Sequence, residues 1–427
     1  MTQKYASLND GELKSLHQSL LAEYNGAKAQ GLHLDMSRGK PESAQFQISM
    51  PMLNFLNEDD FFDENGNDCR NYGFLDGVPE AKRLMAEILG ITPAEIFVGG
   101  NSSLNLMHDC MSFAHIHGLP SGVPWGKQED VKILCPSPGY DRHFAISEHF
   151  GYQLVAVDMN SEGPDMDAVE SLIKDSSVKG IWCVPKYSNP QGITYSDNTV
   201  RRLAALKPAA DDFRIFWDNA YAIHDLYPGE DDILLNLMDE LKNYDNADLV
   251  FMFTSTSKVT FAGAGICALG ASEDNIAWFK RHVSVQNISY DKMNQLRHAR
   301  FLPDLKAAKA HMEKQADYLR PKFKIVLDCL ESELEPLGIA SWERPKGGYF
   351  VTLDVMEGSA KRVVQLCKEA GVVMTSAGAT HPYGNDPLDR TIRIAPTYPT
   401  PEELEKAVAL FCLCVKLASV EHFLTES

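Results

Sequence analysis

The chain has no surplus of basic residues. Forty Lys and Arg stand against 59 Asp and Glu, for a formal net charge of -19. Nucleic-acid binding needs clustered cations on phosphates, so the composition argues against a nucleic-acid partner. No apolar run reads as long enough to cross a bilayer, so no membrane partner is expected. The opening stretch, MTQKYASLNDGELKSLHQSL, is polar and lacks the apolar segment of a secretory signal. A disulfide framework is also missing. The nine Cys are odd in number and scattered, and Cys135, Cys183, Cys267, Cys329 and Cys412 sit in apolar runs. They read as small buried hydrophobes in a reducing compartment, which makes the expected location cytoplasmic. Metal-ligand spacing is absent as well. Cys412 and Cys414, like His115 and His117, are two apart rather than four, so no metal site is expected. There is no internal repeat and no low-complexity linker.

What remains is an ordinary globular composition, 44% hydrophobic and 23% charged over 427 residues, enough for two or three domains' worth of core. The stretch that organises the rest is Phe251–Ser272, FMFTSTSKVTFAGAGICALGAS. An apolar strand empties into Thr254-Ser255-Thr256-Ser257-Lys258, and a glycine-rich loop leads to a second apolar strand, Ile266–Gly270. Lys258 thus sits in a hydroxyl-rich turn between two buried strands. Lost hydration lowers a lysine's pKa and frees an amine able to form a Schiff base with an aldehyde. A lysine that snorkels to the surface beside a turn is the other reading.

In chain order, residues 8 to 30 read as an amphipathic helix capped at Asn9 or Asp10, with Leu13, Leu16, Leu20 and Leu21 on one face. A turn follows at Arg38-Gly39-Lys40-Pro41, and a loop at residues 68 to 77 holds Tyr72. A helix from Val78 ends at Gly90. Strands are predicted at Glu95–Val98, Val131–Cys135, Tyr152–Met159, Val178–Val184, Phe213–Trp217, Leu249–Phe253 and Ile266–Gly270. Helices alternate with them, one opening at Gly99-Gly100-Asn101-Ser102-Ser103. Seven strands, several of them continuous apolar runs, imply an α/β fold with a mostly parallel sheet sandwiched by helices. Ligands bind such sheets beyond the carboxyl ends of the strands.

Beyond Asn275 the pattern turns helical, with a long helix at Leu305–Leu330 bent or broken near Pro321. Strands are predicted around Gly347-Gly348, at Val372–Ser376 and at Thr391–Ala395, and a closing helix at Glu402–Ala418 is capped by Thr400. The expected division is a large domain at 46–305 and a discontinuous, smaller α+β domain at 1–45 and 306–427.

The strand ends collect chemistry: Lys258, Asp218 with Tyr221, Asn189 in an Asn-Pro-x-Gly turn, Tyr140 in a Pro-Gly turn, and Arg393 on a late strand. Each has a structural alternative. Asp218 caps the next segment, Asn189 is a turn residue, Tyr140 packs a loop, and Arg393 is a surface charge.

The motifs GGNSSLN, CPSPGYDRHF, NPQG, DNAY, STSK and TIRIAP run in one order across about residues 35 to 400. In that order they resemble fold-type I pyridoxal-phosphate (PLP) aminotransferases of class I/II, and among them a divergent bacterial aspartate aminotransferase subgroup. The resemblance implies pyridoxal 5'-phosphate as cofactor, bound to Lys258 as a Schiff base. Lys258 then acts as the base that moves the substrate's α-proton. It implies Asp218 at the pyridine nitrogen, Asn189 and Tyr221 at the ring's phenolate oxygen, and Tyr140 on the ring face. It places the phosphate at the helix start of Asn101, Ser102 and Ser103, with Ser255 and Ser257 beside it. Arg393 grips the substrate α-carboxylate with a fork that Lys cannot copy, with the Gly39 backbone close by. Tyr72 reaches the neighbouring subunit's phosphate, which implies a homodimer with active sites at the interface.

Many class I members carry an Arg eight residues after the Schiff-base Lys, where it pairs with the phosphate. Here that position is Ile266. A dicarboxylic substrate also needs a second cation, and the candidates are Arg38, Arg142, Lys292 and Arg297. The implied activity is transfer of an amino group from an L-amino acid, aspartate or glutamate, to a 2-oxo acid, 2-oxoglutarate or oxaloacetate, by a ping-pong mechanism. The alternatives are a same-fold PLP enzyme with another donor or β-lyase chemistry, and a non-catalytic regulator or binding module.

Overall fold

The structure is a computed structural model that describes residues 4–120 and 122–426. The first three residues of the polar N-terminus, and Ser427 at the end of the expected small domain, lie outside the described residues.

Strands follow the chain as β1 (Leu34–Asp35), β2 (Ile96–Val98), β3 (Lys132–Ser137), β4 (Gln153–Asn160), β5 (Gly163–Pro164), β6 (Val178–Cys183) and β7 (Arg214–Asp218). Then come β8 (Val250–Ser255), β9 (Cys267–Gly270), β10 (Ala340–Trp342), β11 (Val351–Val355), β12 (Val372–Val373) and β13 (Thr391–Ile394). The central sheet has the order β2-β9-β8-β7-β6-β3-β4-β5. All seven predicted strands are in it. The eighth, β5, is a two-residue antiparallel edge that a Gly-Pro pair gives no periodicity to announce. Strands β4, β3, β6, β7 and β8 run parallel, and β9 is antiparallel to both β8 and β2.

The continuous apolar runs are explained by burial on both faces. Alternate residues fill two different cores. Ile133, Cys135, Trp182, Phe216, Phe251 and Phe253 fill one. Leu134, Ile181, Cys183, Ile215, Trp217 and Met252 fill the other. Each such side chain, when fully buried, contributes roughly 1.5–3 kcal/mol. Four strands, β3, β6, β7 and β8, are thereby held rigidly enough for the loops at their carboxyl ends to be placed.

A third core joins the chain's beginning and end. It unites Leu13, Leu20 and Tyr24 of the first helix with Phe323, Val326 and Leu330 of the Leu305–Glu333 helix and Val408, Phe411 and Val415 of the last one. The antiparallel sheet β10-β11-β13 lies in it, and β1 pairs with β12. Val184, Tyr187, Tyr221 and Leu226, from the loops after β6 and β7, also reach into this core. Asn9 caps the first helix in a reciprocal box with Glu12. Lys322 is buried and donates to Glu42 and to the carbonyls of Thr397 and Pro399, which ties the strap around residue 42 to the third core.

Several expectations shift. The long helix runs unbroken through Pro321 from Leu305 to Glu333. The strand predicted at Val372–Ser376 ends at Val373, which frees Met374, Thr375 and Ser376 for the cavity described below. Leu21 is exposed, because it lies off the stripe that Leu13 and Leu20 bury. The closing helix extends from Pro401 to Glu426. Its Pro401–Thr425 span is long and apolar enough to cross a membrane by length and composition, contrary to the sequence expectation. Two-thirds of the apolar window is buried inside the fold, where Leu404, Phe411 and Val415 form core.

Candidate active site

Four parallel strands end side by side and each delivers a side chain to one place. Beyond β3 comes Tyr140, beyond β6 Asn189, at the end of β7 Asp218 and then Tyr221, and beyond β8 Ser257 and Lys258. With Gly39 and Arg393 they line a cavity of about 600 Å³. The third core closes its other side with Phe350, Met374, Thr375 and Ser376.

Lys258 occupies the turn that the sequence indicates. Its Nζ lies 5.0 Å from the ring centroid of Tyr221 and 5.8 Å from that of Tyr349. Burial pulls its pKa below the ordinary lysine value; the negative charge of Asp218 opposes this and the Arg393 guanidinium adds to it. Lys258 therefore yields its proton more readily than a surface lysine does.

Asp218 is buried and caps no segment among the described residues. His143 Nε2 lies 3.0 Å from its Oδ2, while Oδ1 is buried with no hydrogen-bond partner among the described residues. His143 itself is stacked flat on Trp182, with ring centroids 4.3 Å apart at 8°. Tyr140 meets His143 edge-on at 4.9 Å. Burial and the neighbouring carboxylates Asp218 and Asp141 push the Tyr140 phenol up to about 12. Burial also drives the Tyr221 phenol well above its usual value, so both hydroxyls stay protonated and are available as donors.

Arg393 is no surface charge. It is 8% exposed and lies on β13. Its guanidinium donates to Asn189 Oδ1 at 3.1 Å, Asp141 Oδ1 at 3.3 Å and Thr375 Oγ1 at 3.4 Å, and sits 4.7 Å from the Phe350 ring centroid. Its Nε is buried and unpartnered among the described residues. Phe350 also explains Gly39. A Cβ there would lie 2.3 Å from the Phe350 ring, so only glycine fits against it.

The helix predicted to open at Asn101 starts two residues later, at Ser103, with Ser102 as its N-cap. Ser102, Ser103 and Leu104 line the cavity, so the helix's first free amides face it, beside Ser255 and Ser257. Asn101 contributes its backbone rather than its side chain: its carbonyl accepts from Ser257 Oγ at 3.1 Å. Ile266 is 1% exposed and packs into the second sheet-face core, just before β9 begins. Its backbone is pinned to Thr256 by hydrogen bonds in both directions.

Arg38 and Arg142 line the cavity, whereas Lys292 and Arg297, on the Lys292–Phe301 helix, do not. Tyr72 is 78% exposed and also stands outside it.

His143, Asp141, Phe350 and Thr375 were missed by reasoning from sequence. For His143 a signal existed: it follows Tyr140 by three residues at a helix start, which places both on one side. For Phe350 and Thr375 there was none, because only tertiary packing brings them here.

The residues fit pyridoxal 5'-phosphate. A carboxylate oxygen is held buried and unpaired, a lysine with lowered pKa shares its cavity, and hydroxyls and free helix amides suit a phosphate.

A profile of the family described as aspartate amino-transferase matches residues 8–426. An aspartate aminotransferase of Corynebacterium glutamicum is 43% identical over 408 residues, covering 95% of this chain and 94% of that protein. The crystal structure of an aspartate transaminase from Corynebacterium glutamicum superposes with a TM-score of 0.96 at 42% identity, covering 99% of this chain and 100% of that one. The fold extends further. LysN, an α-aminoadipate aminotransferase of Thermus thermophilus, matches with a TM-score of 0.72 at 19% identity over 95% of each chain.

Proposed function

The chain belongs to the aspartate amino-transferase family, and from that premise we propose that this aminotransferase uses pyridoxal 5'-phosphate to move the amino group of L-aspartate or L-glutamate to 2-oxoglutarate or oxaloacetate. The reaction runs as two half-reactions in ping-pong order. The observation that carries the reading is the pairing, in one cavity, of Lys258 with Asp218, whose buried Oδ1 has no partner among the described residues.

When bound, the cofactor supplies an aldehyde and an electron-withdrawing ring that together acidify the substrate's Cα–H. Asp218 Oδ1 would hold a proton on the ring nitrogen, and His143 orients that carboxylate from Oδ2. Asn189 and the protonated Tyr221 hydroxyl would hydrogen-bond the ring's phenolic oxygen, and Tyr140 would cover a ring face. The amides at the start of the Ser103–His117 helix, with the hydroxyls of Ser102, Ser103, Ser255 and Ser257, would hold the phosphate. Because position 266 is Ile, hydroxyls and amides do this work without that arginine. Lys258 Nζ takes the proton from the substrate Cα and returns it, a role its lowered pKa suits. Arg393 grips the α-carboxylate, its guanidinium already aimed by Asn189, Asp141 and Thr375, with the Gly39 amide alongside. Phe350 closes against Gly39 and keeps water from the carboxylate.

The large unit is 46–305, and the small one is 1–45 with 306–427. Two copies form a homodimer in the cytoplasm, with Tyr72 of each reaching the other's phosphate. The test is a donor screen with 2-oxoglutarate on the purified holoenzyme. Aspartate should be among the best donors, with oxaloacetate as product. A wide preference for aromatic or branched donors, or pyruvate release from a cysteine conjugate in place of transamination, contradicts the proposal.

A further inference from the structure

We infer that Cys329 and Cys412 form a peroxide-reactive dithiol. A hydroperoxide oxidises Cys329, and Cys412 resolves the product into a disulfide that staples the Leu305–Glu333 helix to the closing helix.

The two sulfurs lie 3.7 Å apart where these helices meet in the third core. A disulfide needs about 2.0 Å, a gap that side-chain rotation with a small slide of one helix closes. The two thiols are unequally placed. Cys412 is 1% exposed, whereas Cys329 alone among the nine cysteines is not buried. An oxidant therefore meets Cys329 first, with Cys412 behind it. One turn further along each helix, Glu333 and Lys416 form an ion pair across the same interface. A hydrogen bond with Cys412 holds the Cys329 thiol below its ordinary value; Lys416 adds to this, while burial and Glu333 oppose it. The same contact, with burial, pushes the Cys412 thiol well above its ordinary value. The accessible sulfur is thus the nucleophile and the buried one the resolving thiol. Cys367 and Cys414 are a second couple, but both are fully buried, and their hydrogen bond with burial raises the Cys367 thiol. That couple has no accessible member to start the reaction.

The Cys329 thiolate attacks one oxygen of the peroxide. An S–O bond forms, the O–O bond breaks, and the hydroxide that leaves takes up the proton Cys329 gave to solvent. Cys412 then attacks the sulfenic sulfur. The S–S bond forms, the S–O bond breaks, and the departing hydroxide leaves as water with the Cys412 proton. Two thiols are oxidised by two electrons in all, and one hydrogen peroxide is reduced to two waters. The bond closes a long loop of chain, so it disfavours the unfolded state, and an external thiol reverses it by exchange.

The experiment treats reduced, purified holoenzyme with equimolar hydrogen peroxide, blocks the remaining thiols with N-ethylmaleimide and maps the peptides without reduction. A single cross-link should join Cys329 to the peptide that carries Cys412 and Cys414. It should vanish in Cys412→Ser and persist in Cys414→Ser. In Cys412→Ser, Cys329 should stop at the sulfenic acid and be trapped by dimedone. The oxidised protein should melt at a higher Tm than the reduced one, and dithiothreitol should restore the lower value. Should either variant fail to fold, fragmentation of the wild-type cross-linked peptide tells Cys412 from Cys414. A cross-link to Cys414 or between other cysteines overturns the inference. So does a Cys329 that stays unmodified or ends as sulfinic acid without a cross-link, and so does a disulfide that leaves Tm unchanged.

Discussion

His143 Nε2 stands 3.0 Å from Asp218 Oδ2 and leaves Oδ1 of the same carboxylate unpaired. One oxygen is thus fixed by the protein and the other kept for a ligand. His143 is held in turn by its stack on Trp182, so the carboxylate cannot swing away. Changing His143→Leu removes the fixed contact but spares the free oxygen. The expected result is a fall in kcat/KM of about 10- to 100-fold, the worth of a hydrogen bond to a charged group. His143→Gln should recover part of it. Steady-state kinetics at equal cofactor occupancy check this, and a His143→Leu enzyme as fast as wild type would refute it.

His224 makes stability depend on acid. It is buried between the rings of Tyr221 and Tyr349, with centroids 5.4 and 5.9 Å away. Burial first, then the charges of Lys258 and Lys186, lower its pKa from 6.5 to about 3. The unfolded chain takes up a proton below pH 6.5, while the folded chain refuses it until about pH 3. The stabilisation is therefore whole above pH 6.5 and drains as pH falls toward 3. Between pH 6.5 and 4 the loss is about 3 kcal/mol at roughly 1.4 kcal/mol per pH unit. Urea melts across that range should show a shallower acid loss for His224→Gln than for wild type. Parallel curves would remove His224 from the account.

Ile266 cannot be turned back into a phosphate-binding arginine. Its side chain packs in the core on one face of the sheet and is 1% exposed. Ile266→Arg would bury an unpaired guanidinium, which costs about 3–5 kcal/mol when no partner is available. The expected outcome is a lower Tm with no gain in cofactor affinity. A variant that is as stable as wild type and binds the cofactor more tightly would show that the side chain at 266 reaches the phosphate after all.

The central sheet was legible because burial on both faces writes continuous apolar runs, and the loops after those runs carry Tyr140, Asn189, Asp218 and Lys258. Helix ends were legible where a cap exists, as at Asn9 and Gly90. The two-residue edge β5 was not, since a Gly-Pro pair has no period. The closing helix runs past Ala418 because its apolar content continues through Leu424, on a helix buried on most sides. Within the site, residues that reach the cavity from strand ends could be named in advance. Phe350 and Thr375 could not, because their place depends on how the third core docks against the sheet. The division of the four candidate cations also needed the fold: Arg38 and Arg142 reach the cavity of this chain, and Lys292 and Arg297 do not.

The most direct measurement is borohydride reduction of the purified holoenzyme followed by peptide mass mapping. The account predicts a single phosphopyridoxyl adduct, on the peptide carrying Thr256-Ser257-Lys258, and none after exposure to excess aspartate before reduction. An adduct on a different lysine, or one that aspartate leaves in place, would contradict it.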